Sequence, residues 1–442
     1  MRWWLLCGWL LVVPAWAGMG VDETRHLLLR AGFAPSQTEV DSLAGFDRTT
    51  AVERLLQGAH KTARTTVPSP VLEPMDPGMR QALRNNTATE AERRQFLREQ
   101  IEKGLELRAW WLREMLVTDS PLTERMTLFW HNHFVSSQQK VKSSALMVKQ
   151  NQTLRRHALG NFRELLHAIA KDPAMVVYLD NVSNKKGSPN ENFAREVMEL
   201  FTLGEGRYTE RDIKEAARAF TGWSLDRRTG EFRFYRTLHD RGEKTVLGRT
   251  GRFDGDEVLD ILLAQPATEE LITGKIWREF VSPVPDPAEV RRLAAVFRAS
   301  RYDIKTLMRA LLASQAFYAA QHRASLVKSP VEFTVGTLRL FGIHPQDLRP
   351  LALATRNLGQ DLFGPPNVKG WPGGEAWINS STLLARRQLL ARLFRAEEMP
   401  AEGAGAVNRF DRRAQRMAVS MRQDYRFHSQ RWFGQFPGAT GQ

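Results

Sequence analysis

Two histidines flank an asparagine in residues 129–134, FWHNHF. A metal ion or a proton-transfer step would suit such imidazoles. Ser120-Pro121 is typical of a helix start, so the stretch should be helical. At 100° per residue His133 lies on the apolar stripe of that helix and His131 points nearly opposite. The two imidazoles therefore cannot share a metal ion, because an H-x-H pair needs an extended backbone.

Because they point in different directions, His133 and His131 are expected to have different environments. His133 is either a core histidine with satisfied hydrogen bonds or a residue that lines an interior cleft, and we take it as a candidate catalytic residue. His131 is expected to be exposed or to support a neighbouring group. We therefore expect His133→Ala to cost more stability or function than His131→Ala, since a buried imidazole depends on specific partners.

Two carboxylates stand out in residues 188–204, SPNENFAREVMELFTLG. Glu196 and Glu199 are three residues apart, which puts their Cβ atoms roughly 5–6 Å apart on a helix. Adjacent carboxylates share a proton or hold a cation, so both are candidate catalytic residues and candidate metal ligands. The alternative is a solvated face paired with arginines. Asn190 and Asn192 precede them and are candidate binding residues.

A loop rich in proline, glycine and tryptophan follows at residues 364–379, GPPNVKGWPGGEAWIN. Its prolines and glycines prevent a regular helix. Trp371 and Trp377 would either stack on a sugar ring or partner, or fasten the loop to the core. Asn367 and Lys369 are the polar binding candidates of the same loop.

One more candidate pair lies in residues 230–248, which alternate polar and apolar side chains around turn residues. This pattern predicts one short β-hairpin. His239 and Asp240 are adjacent in it and are candidate binding residues.

The elements that must position these side chains are helices. Polar N-cap residues followed three positions later by an acidic residue recur along the chain, and apolar residues follow at helical spacing. These N-caps are Ser36, Asn161, Thr209, Asp254, Asp286 and Ser329. We predict a mainly α protein, with one large multi-helix domain over residues 18–395 and a basic helix and loose tail over residues 396–442.

The first 17 residues resemble a signal peptide. Arg2 precedes a short apolar run at residues 3–13, and Ala15-Trp16-Ala17 has the small-residue pattern of a cleavage site. The sequence holds no other apolar run of about 18 residues, so no transmembrane helix is expected. We therefore expect export to the periplasm or beyond, with a mature chain that begins near Gly18.

The cysteine count and the net charge limit the chemistry and the partners that we expect. Cys7 is the only cysteine, so a mature chain without it can use neither a disulfide nor a thiolate. That chain carries 62 basic and 49 acidic residues, a net charge of +13. For an exported protein this charge favours anionic envelope polymers or membrane surfaces over nucleic acid.

The same stretches resemble, in order, the bacterial domain of unknown function 1800 family over about residues 24–395. The resemblance implies export, and an envelope partner from a second uncharacterised family, related to alkaline phosphatases and sulfatases, encoded alongside. It supplies no catalytic residue or cofactor. The segments that carry it are RHLLLRAGFAPS, PLTERMTLFWHNHFV, KDPAMVVYLDN, PNENFAREVMELFTLGEGRYTERDIKEAARAFTGW, HDRGEKTVLGRTGRFDGDEVLDILLAQPAT and PPNVKGWPGGEAWIN.

Three functions stay open on the sequence. The first is binding or processing of an envelope or extracellular polymer, a glycan above all, in a polar cleft. That cleft would be built from His133, the helix at residues 190–199, the His239-Asp240 turn and the Trp371 loop. The second is a non-enzymatic assembly protein that docks the co-encoded partner. The third is a metal site of carboxylates and histidine; the sequence does not decide whether the protein is an enzyme.

Overall fold

The computed structural model describes residues 18–73, 77–226 and 228–394. This part of the chain is mainly α-helical, as predicted. The helices are α1 (Val21–Ala31), α2 (Gln37–Leu43), α3 (Arg48–Gln57), α4 (Ser69–Leu72), α5 (Pro77–Arg84), α6 (Glu90–Val117), α7 (Pro121–His133), α8 (Gln138–Val141), α9 (Ser144–His157), α10 (Phe162–Ala170), α11 (Pro173–Tyr178), α12 (Asn192–Glu196), α13 (Glu210–Ala219), α14 (Gly255–Leu263), α15 (Pro266–Phe280), α16 (Pro287–Ala299), α17 (Ile304–Leu312), α18 (Gln315–Tyr318), α19 (Pro330–Phe341), α20 (Arg349–Asn357) and α21 (Ser380–Phe394). A π-helix at Val197–Leu203 continues α12, and short 3₁₀ turns occupy Asn181–Ser183, Ala320–His322 and Gly374–Trp377.

The N-caps read from the sequence are confirmed. Each predicted cap side chain accepts a hydrogen bond from a backbone N–H in the first turn of its helix, which satisfies donors that the helix itself leaves free. These caps are Ser36, Asn161, Thr209, Asp254, Asp286 and Ser329. Local chemistry therefore defines where these helices begin.

The β structure differs in detail from the single predicted hairpin. The described residues hold two hairpins: β1 (Trp223–Leu225) pairs with β2 (Phe232–Phe234), and β3 (Lys244–Val246) pairs with β4 (Arg249–Gly251). Residues 230–248 thus contain β2 of the first hairpin and β3 of the second. The positions of the two turns explain why there are two hairpins. The Asp226 carboxylate accepts two backbone N–H groups and closes the first turn. Leu247 and Gly248 have φ of 49° and 77° and close the second.

Helix α7 lies at the centre of the fold. Every residue from 122 to 131 is buried. Inside this helix the Glu124 carboxylate accepts hydrogen bonds from Arg155 Nε (2.6 Å) and Arg155 Nη2 (2.9 Å) of α9. The indole N–H of Trp111 on α6 donates to the same carboxylate at 2.8 Å. These bonds fix the rotation of α7 and therefore the directions in which its last residues point.

Helix α6 is 28 residues long, and Thr89 is its N-cap. Most residues of its second half are buried, whereas Leu97 and Ile101 in the first half are 57% and 69% exposed. Within the described ranges no helix is both long enough and apolar enough to cross a membrane.

Candidate functional site

We call His131-Asn132-His133, at the end of α7, the clamp, because each of the three side chains binds a different, distant segment of the chain. The His131 ring is buried, and its Nε2 accepts the backbone N–H of Phe363 at 3.2 Å. It packs against the rings of Trp111 and Phe363, each with centroids 5.2 Å away. The expectation that His131 is exposed is wrong, because α7 is covered on all sides. The residue does support a neighbour, which was the other expectation.

Asn132 holds the loop at residues 364–379. Its side-chain oxygen accepts the backbone N–H of Trp371 at 2.7 Å, and its amide donates to the carbonyl of Trp371 at 3.3 Å. The loop approaches so closely that a Cβ on Gly370, which has φ of +81°, would lie 2.2 Å from that Asn132 oxygen. Only glycine fits both the backbone conformation and the space.

His133 is buried and points into the core, as predicted. Its Nε2 lies 3.3 Å from the carbonyl oxygen of Phe201, and its Nδ1 lies 3.0 Å from Lys275 Nζ. The carbonyl requires a proton on Nε2, so Nδ1 accepts from the lysine. Burial, and next the charge of Lys275, hold the pKa of His133 well below its usual value. Both ring nitrogens are occupied, so His133 orients Lys275 and is not a free base.

The π-helix at Val197–Leu203 explains why these carbonyls accept bonds from side chains. Its bonds run five residues back, as from the Gly204 N–H to the Glu199 carbonyl (3.1 Å). Carbonyls in the last turn of a helix lack partners within it. Phe201 finds one in His133, and Leu200 finds one in Lys275 Nζ at 2.9 Å. Gly204, with φ of +86°, ends the helix.

Next to this clamp lies a cleft of about 380 Å³. Its walls come from the end of α7, from one face of α15, from residues 326–332 and from the Trp371 loop. The lining residues are Leu128, Phe129, Asn132, His133, Lys275, Arg278, Glu279, Pro283, Leu326, Val327, Ser329, Glu332, Gln360, Lys369, Trp371, Pro372, Gly373, Gly374 and Trp377. Four side chains singled out from the sequence are thereby brought together: His133, Lys369, Trp371 and Trp377.

Two cations of the cleft lie on α15. Lys275 and Arg278 are one turn apart, and burial, followed by the charge of Arg278, lowers the pKa of Lys275 to about 8. Lys369 adds a third positive charge from the loop. Sequence reasoning missed Lys275 and Arg278. Their spacing on one helical face was the available signal, yet nothing local showed that this face meets His133.

The carboxylates of the cleft share one buried arginine. Arg125 Nη2 lies 2.8 Å from Glu279, and Arg125 Nη1 lies 2.7 Å from Glu332. Burial raises the pKa of Glu279 to about 7, against the opposing charge of Arg125. With both carboxylates bound by one guanidinium, the cleft carries a net positive charge. No local pattern in the sequence indicates this triad either.

The side chains of Trp371 and Trp377 anchor their loop to the core. Trp371 and Trp377 are only 4% and 6% exposed, and the Trp371 ring lies 5.7 Å from that of His131. Rings so covered have little face left for stacking on a sugar. Of the two interpretations left open by the sequence, the structure favours the one in which they fasten the loop to the core.

Glu196 and Glu199 lie outside the lining of the cleft. Glu199 accepts the Tyr208 hydroxyl at 2.6 Å. Burial, and next the charge of Glu199, raise the pKa of Glu196, while Arg195 and Lys369 oppose the rise. Within the described ranges no three His, Cys, Asp or Glu side chains are arranged to hold a metal ion, so the third ligand of a metal site is not found beside this pair.

The asparagine candidates shape turns. The Asn190 side-chain oxygen accepts the Asn192 N–H at 3.0 Å, and the Asn192 amide donates to the Leu179 carbonyl at 3.2 Å. The Asn367 oxygen accepts the Lys369 N–H at 2.9 Å. These bonds organise the backbone before α12 and in the Trp371 loop.

His239 and Asp240 anchor the segment between the two hairpins and also lie outside the cleft lining. His239 Nδ1 lies 3.0 Å from the Thr221 carbonyl, which requires a proton on that nitrogen. The Asp240 carboxylate binds Arg218 of α13 at 2.7 Å. The cleft is thus built from two of the four predicted parts, His133 and the Trp371 loop.

We expect acid to destabilise the protein in part through its buried histidines. Burial, and next the charge of Arg108, lower the pKa of His131 to about 3 from 6.5. The unfolded chain therefore binds more protons between these values, and stability is lost as pH falls from about 6.5 to about 3. His131→Gln keeps an acceptor for Phe363 and should reduce that loss by about 1.4 kcal/mol per pH unit. Urea unfolding at pH 4, 5, 6 and 7 measures it. Equal slopes in both proteins would contradict a neutral, buried His131.

Comparisons with known proteins identify one family. A family model described as a protein of unknown function, DUF1800, matches residues 26–436. The match continues through the basic segment after residue 395, which lies beyond the resemblance found in the sequence motifs and outside the described residues. No curated protein and no solved structure matched the chain.

Proposed function

The chain belongs to the DUF1800 family, and on that premise we propose that it is an exported protein whose cleft binds a segment of an envelope or extracellular polymer, a glycan above all. The observation that carries the proposal is the charge of the cleft. Lys275, Arg278 and Lys369 line it, while Arg125 already binds both of its carboxylates. A positively charged cleft attracts anionic polymers, which are also the partners expected from the basic composition of the chain.

Binding is favoured over hydrolysis by the chemistry available in the cleft. A glycosidase uses two carboxylates that flank the scissile bond. Here Glu279 and Glu332 hold the same guanidinium, and the pair Glu196 and Glu199 is not part of the lining. The imidazole of His133 has both nitrogens in hydrogen bonds. We therefore assign the cleft to recognition.

Export is the second part of the proposal. Its support is the signal-like pattern of residues 1–17, which lie outside the described residues; without them the chain has a net charge of +13. A periplasmic or extracellular protein with this charge meets anionic envelope polymers first. The partner implied by the family resemblance, a protein related to phosphatases and sulfatases, would act in the same compartment.

Binding to oligosaccharides tests the proposal. We expect the purified protein to bind at least one member of a panel of neutral and acidic envelope oligosaccharides in calorimetry. The double variant Arg278→Ala/Lys369→Ala should weaken that binding at least tenfold, because it removes two of the three cations. The control, Glu196→Gln/Glu199→Gln, lies outside the lining and should retain binding, with stability within roughly 0.5 kcal/mol of the original. Loss of binding in the control alone would place the site at the carboxylate pair instead.

A docking function is the second candidate, and one surface favours it. A groove of about 900 Å³ runs between α6 and α20, and the exposed Leu97 and Ile101 form part of its wall. Exposed apolar side chains that line one groove are typical of protein–protein contact. An assembly protein that docks a co-encoded partner would use such a groove, and the cleft variants above would leave that contact unchanged.

A further inference from the structure

We propose that the ligand of the cleft is an acidic sugar, that the ammonium group of Lys275 binds its oxyanion, and that His133 is the positioning residue that aims this ammonium group. The inference rests on the proposed function, since it names the chemical class of the polymer. It also assigns one atom, Lys275 Nζ, as the point of recognition.

The first step is the geometry of the ammonium group. Lys275 Nζ carries three N–H bonds, and it donates to His133 Nδ1 at 3.0 Å and to the Leu200 carbonyl at 2.9 Å. Within the described residues these are its two hydrogen-bond partners. The side chain also lines the cleft, so the third N–H is available to a ligand there. Two fixed acceptors thus hold the tip of a flexible side chain in one place.

The second step is the framework behind those acceptors. The Phe201 carbonyl fixes the proton of His133 on Nε2, which leaves a lone pair on Nδ1 toward Lys275. Phe201 and Leu200 are consecutive in the π-helix, so a single turn supplies both carbonyls. Such turns are frequent at functional sites. The position of Nζ is therefore set before any ligand arrives, which lowers the entropic cost of binding.

The third step is charge. Within the described ranges no carboxylate lies within ion-pair distance of Lys275, although Arg278 is close enough to disfavour its charge. A cation that is buried without a counter-charge gains most from an incoming anion. The nearby carboxylate of Glu279 is bound by Arg125, so it does not fill this role.

The fourth step is size. At about 380 Å³ the cleft lies near the lower end of the roughly 300–1,000 Å³ typical of ligand sites. It suits a short acidic segment of a polymer. The oxyanion chemistry is shared by the carboxylate of a uronic acid and by a sulfate ester on a sugar, and separate probes distinguish the two.

Calorimetry with trigalacturonate, a sulfated trisaccharide and maltotriose tests the inference. At pH 7 we expect an acidic probe to bind at least tenfold more tightly than maltotriose. Its affinity should fall about tenfold between pH 7 and pH 9, because the pKa of Lys275 is about 8. Lys275→Met should reduce the preference and abolish the pH dependence, because the remaining cations of the cleft, Arg278 and Lys369, keep their charge over this pH range. The control Lys214→Met removes the same charge from an exposed site on α13 and should retain both.

The role of His133 has its own readout, the midpoint of that pH profile. His133→Leu removes the acceptor for the ammonium group and should shift the midpoint to lower pH. His133→Gln offers an acceptor again and should restore it. A merely structural histidine would weaken binding at every pH without moving the midpoint, and that result would overturn its assignment as a positioning residue.

A second measurement covers the case in which Lys275→Met does not fold. Reductive methylation of the original protein at pH 8, read by mass spectrometry, should modify Lys275 at least threefold less with the bound acidic probe than with maltotriose. Equal modification, equal affinity for neutral and acidic probes, or a flat pH profile would each overturn the inference while the proposed function stands. If none of the three probes binds and the broader panel also fails, the proposed function falls first.

Discussion

Arg155→Met is expected to destabilise the protein by about 3–5 kcal/mol, because it leaves a buried carboxylate without its cation. Arg155 and Glu124 are each 1% exposed, and three hydrogen bonds from the arginine and one from Trp111 surround them. The unpaired Glu124 would have to take up a proton or draw α7 toward water. Either response disturbs the helix that ends in His131-Asn132-His133.

Two further variants make the Arg155 result interpretable in urea unfolding at pH 7. Glu124→Leu/Arg155→Met removes both charges and should recover a large part of the loss, since an apolar pair can replace a buried ion pair. Arg309→Met is the matched control, because the Arg309–Glu53 pair at 2.7 Å is 37% and 36% exposed. Its removal should cost no more than about 1 kcal/mol. Equal losses in Arg155→Met and Arg309→Met would refute the buried character of the first pair.

Gly370→Ala is expected to be the most damaging single change in the Trp371 loop. A side chain at φ of +81° costs roughly 1–2 kcal/mol. The new Cβ would also lie 2.2 Å from the Asn132 side-chain oxygen and 2.7 Å from its carbonyl oxygen, a clash that typically adds about 1–3 kcal/mol. The loop should detach from α7 and the cleft should lose its wall.

Gly373→Ala in the same loop separates the two costs. Gly373 also has a positive φ, +73°, but a Cβ there would meet no atom within 4 Å. It should therefore show only the conformational cost. Unfolding free energies, together with proteolysis rates in residues 364–379, measure the difference. If both variants behave alike, the close contact between Gly370 and Asn132 does not hold the loop.

Much of the fold could be predicted from local sequence. Cap residues such as Ser36 and Thr209 mark helix starts because they satisfy free N–H groups within a few residues. The apolar spacing along α7 placed His133 inward for the same reason, since helical periodicity is a local property. The hairpin prediction was less complete because alternation marks a strand and leaves its partner open.

The candidate site could be predicted only in part. His133 and the Trp371 loop were identified, whereas Lys275 and Arg278 were not, since no pattern in α15 distinguishes a face that meets another helix from one that meets water. The π-helix was also missed, because its bonding five residues back leaves no clear trace in apolar spacing. Glu196 and Glu199 formed a clear local pattern, yet the described structure places them outside the cleft.

The mainly α fold, the helix caps and the inward direction of His133 could be predicted because each depends on residues close together in the chain, and ordered motifs along its length indicated the family. The hydrogen-bond partners of His131, Asn132 and His133 could be found only from the packed fold. Phe363, Trp371 and Lys275 lie 232, 239 and 142 residues away from them. Contacts between residues so far apart in sequence depend on how whole helices pack. That packing buries both histidines and places His131 against Phe363 and His133 against Lys275.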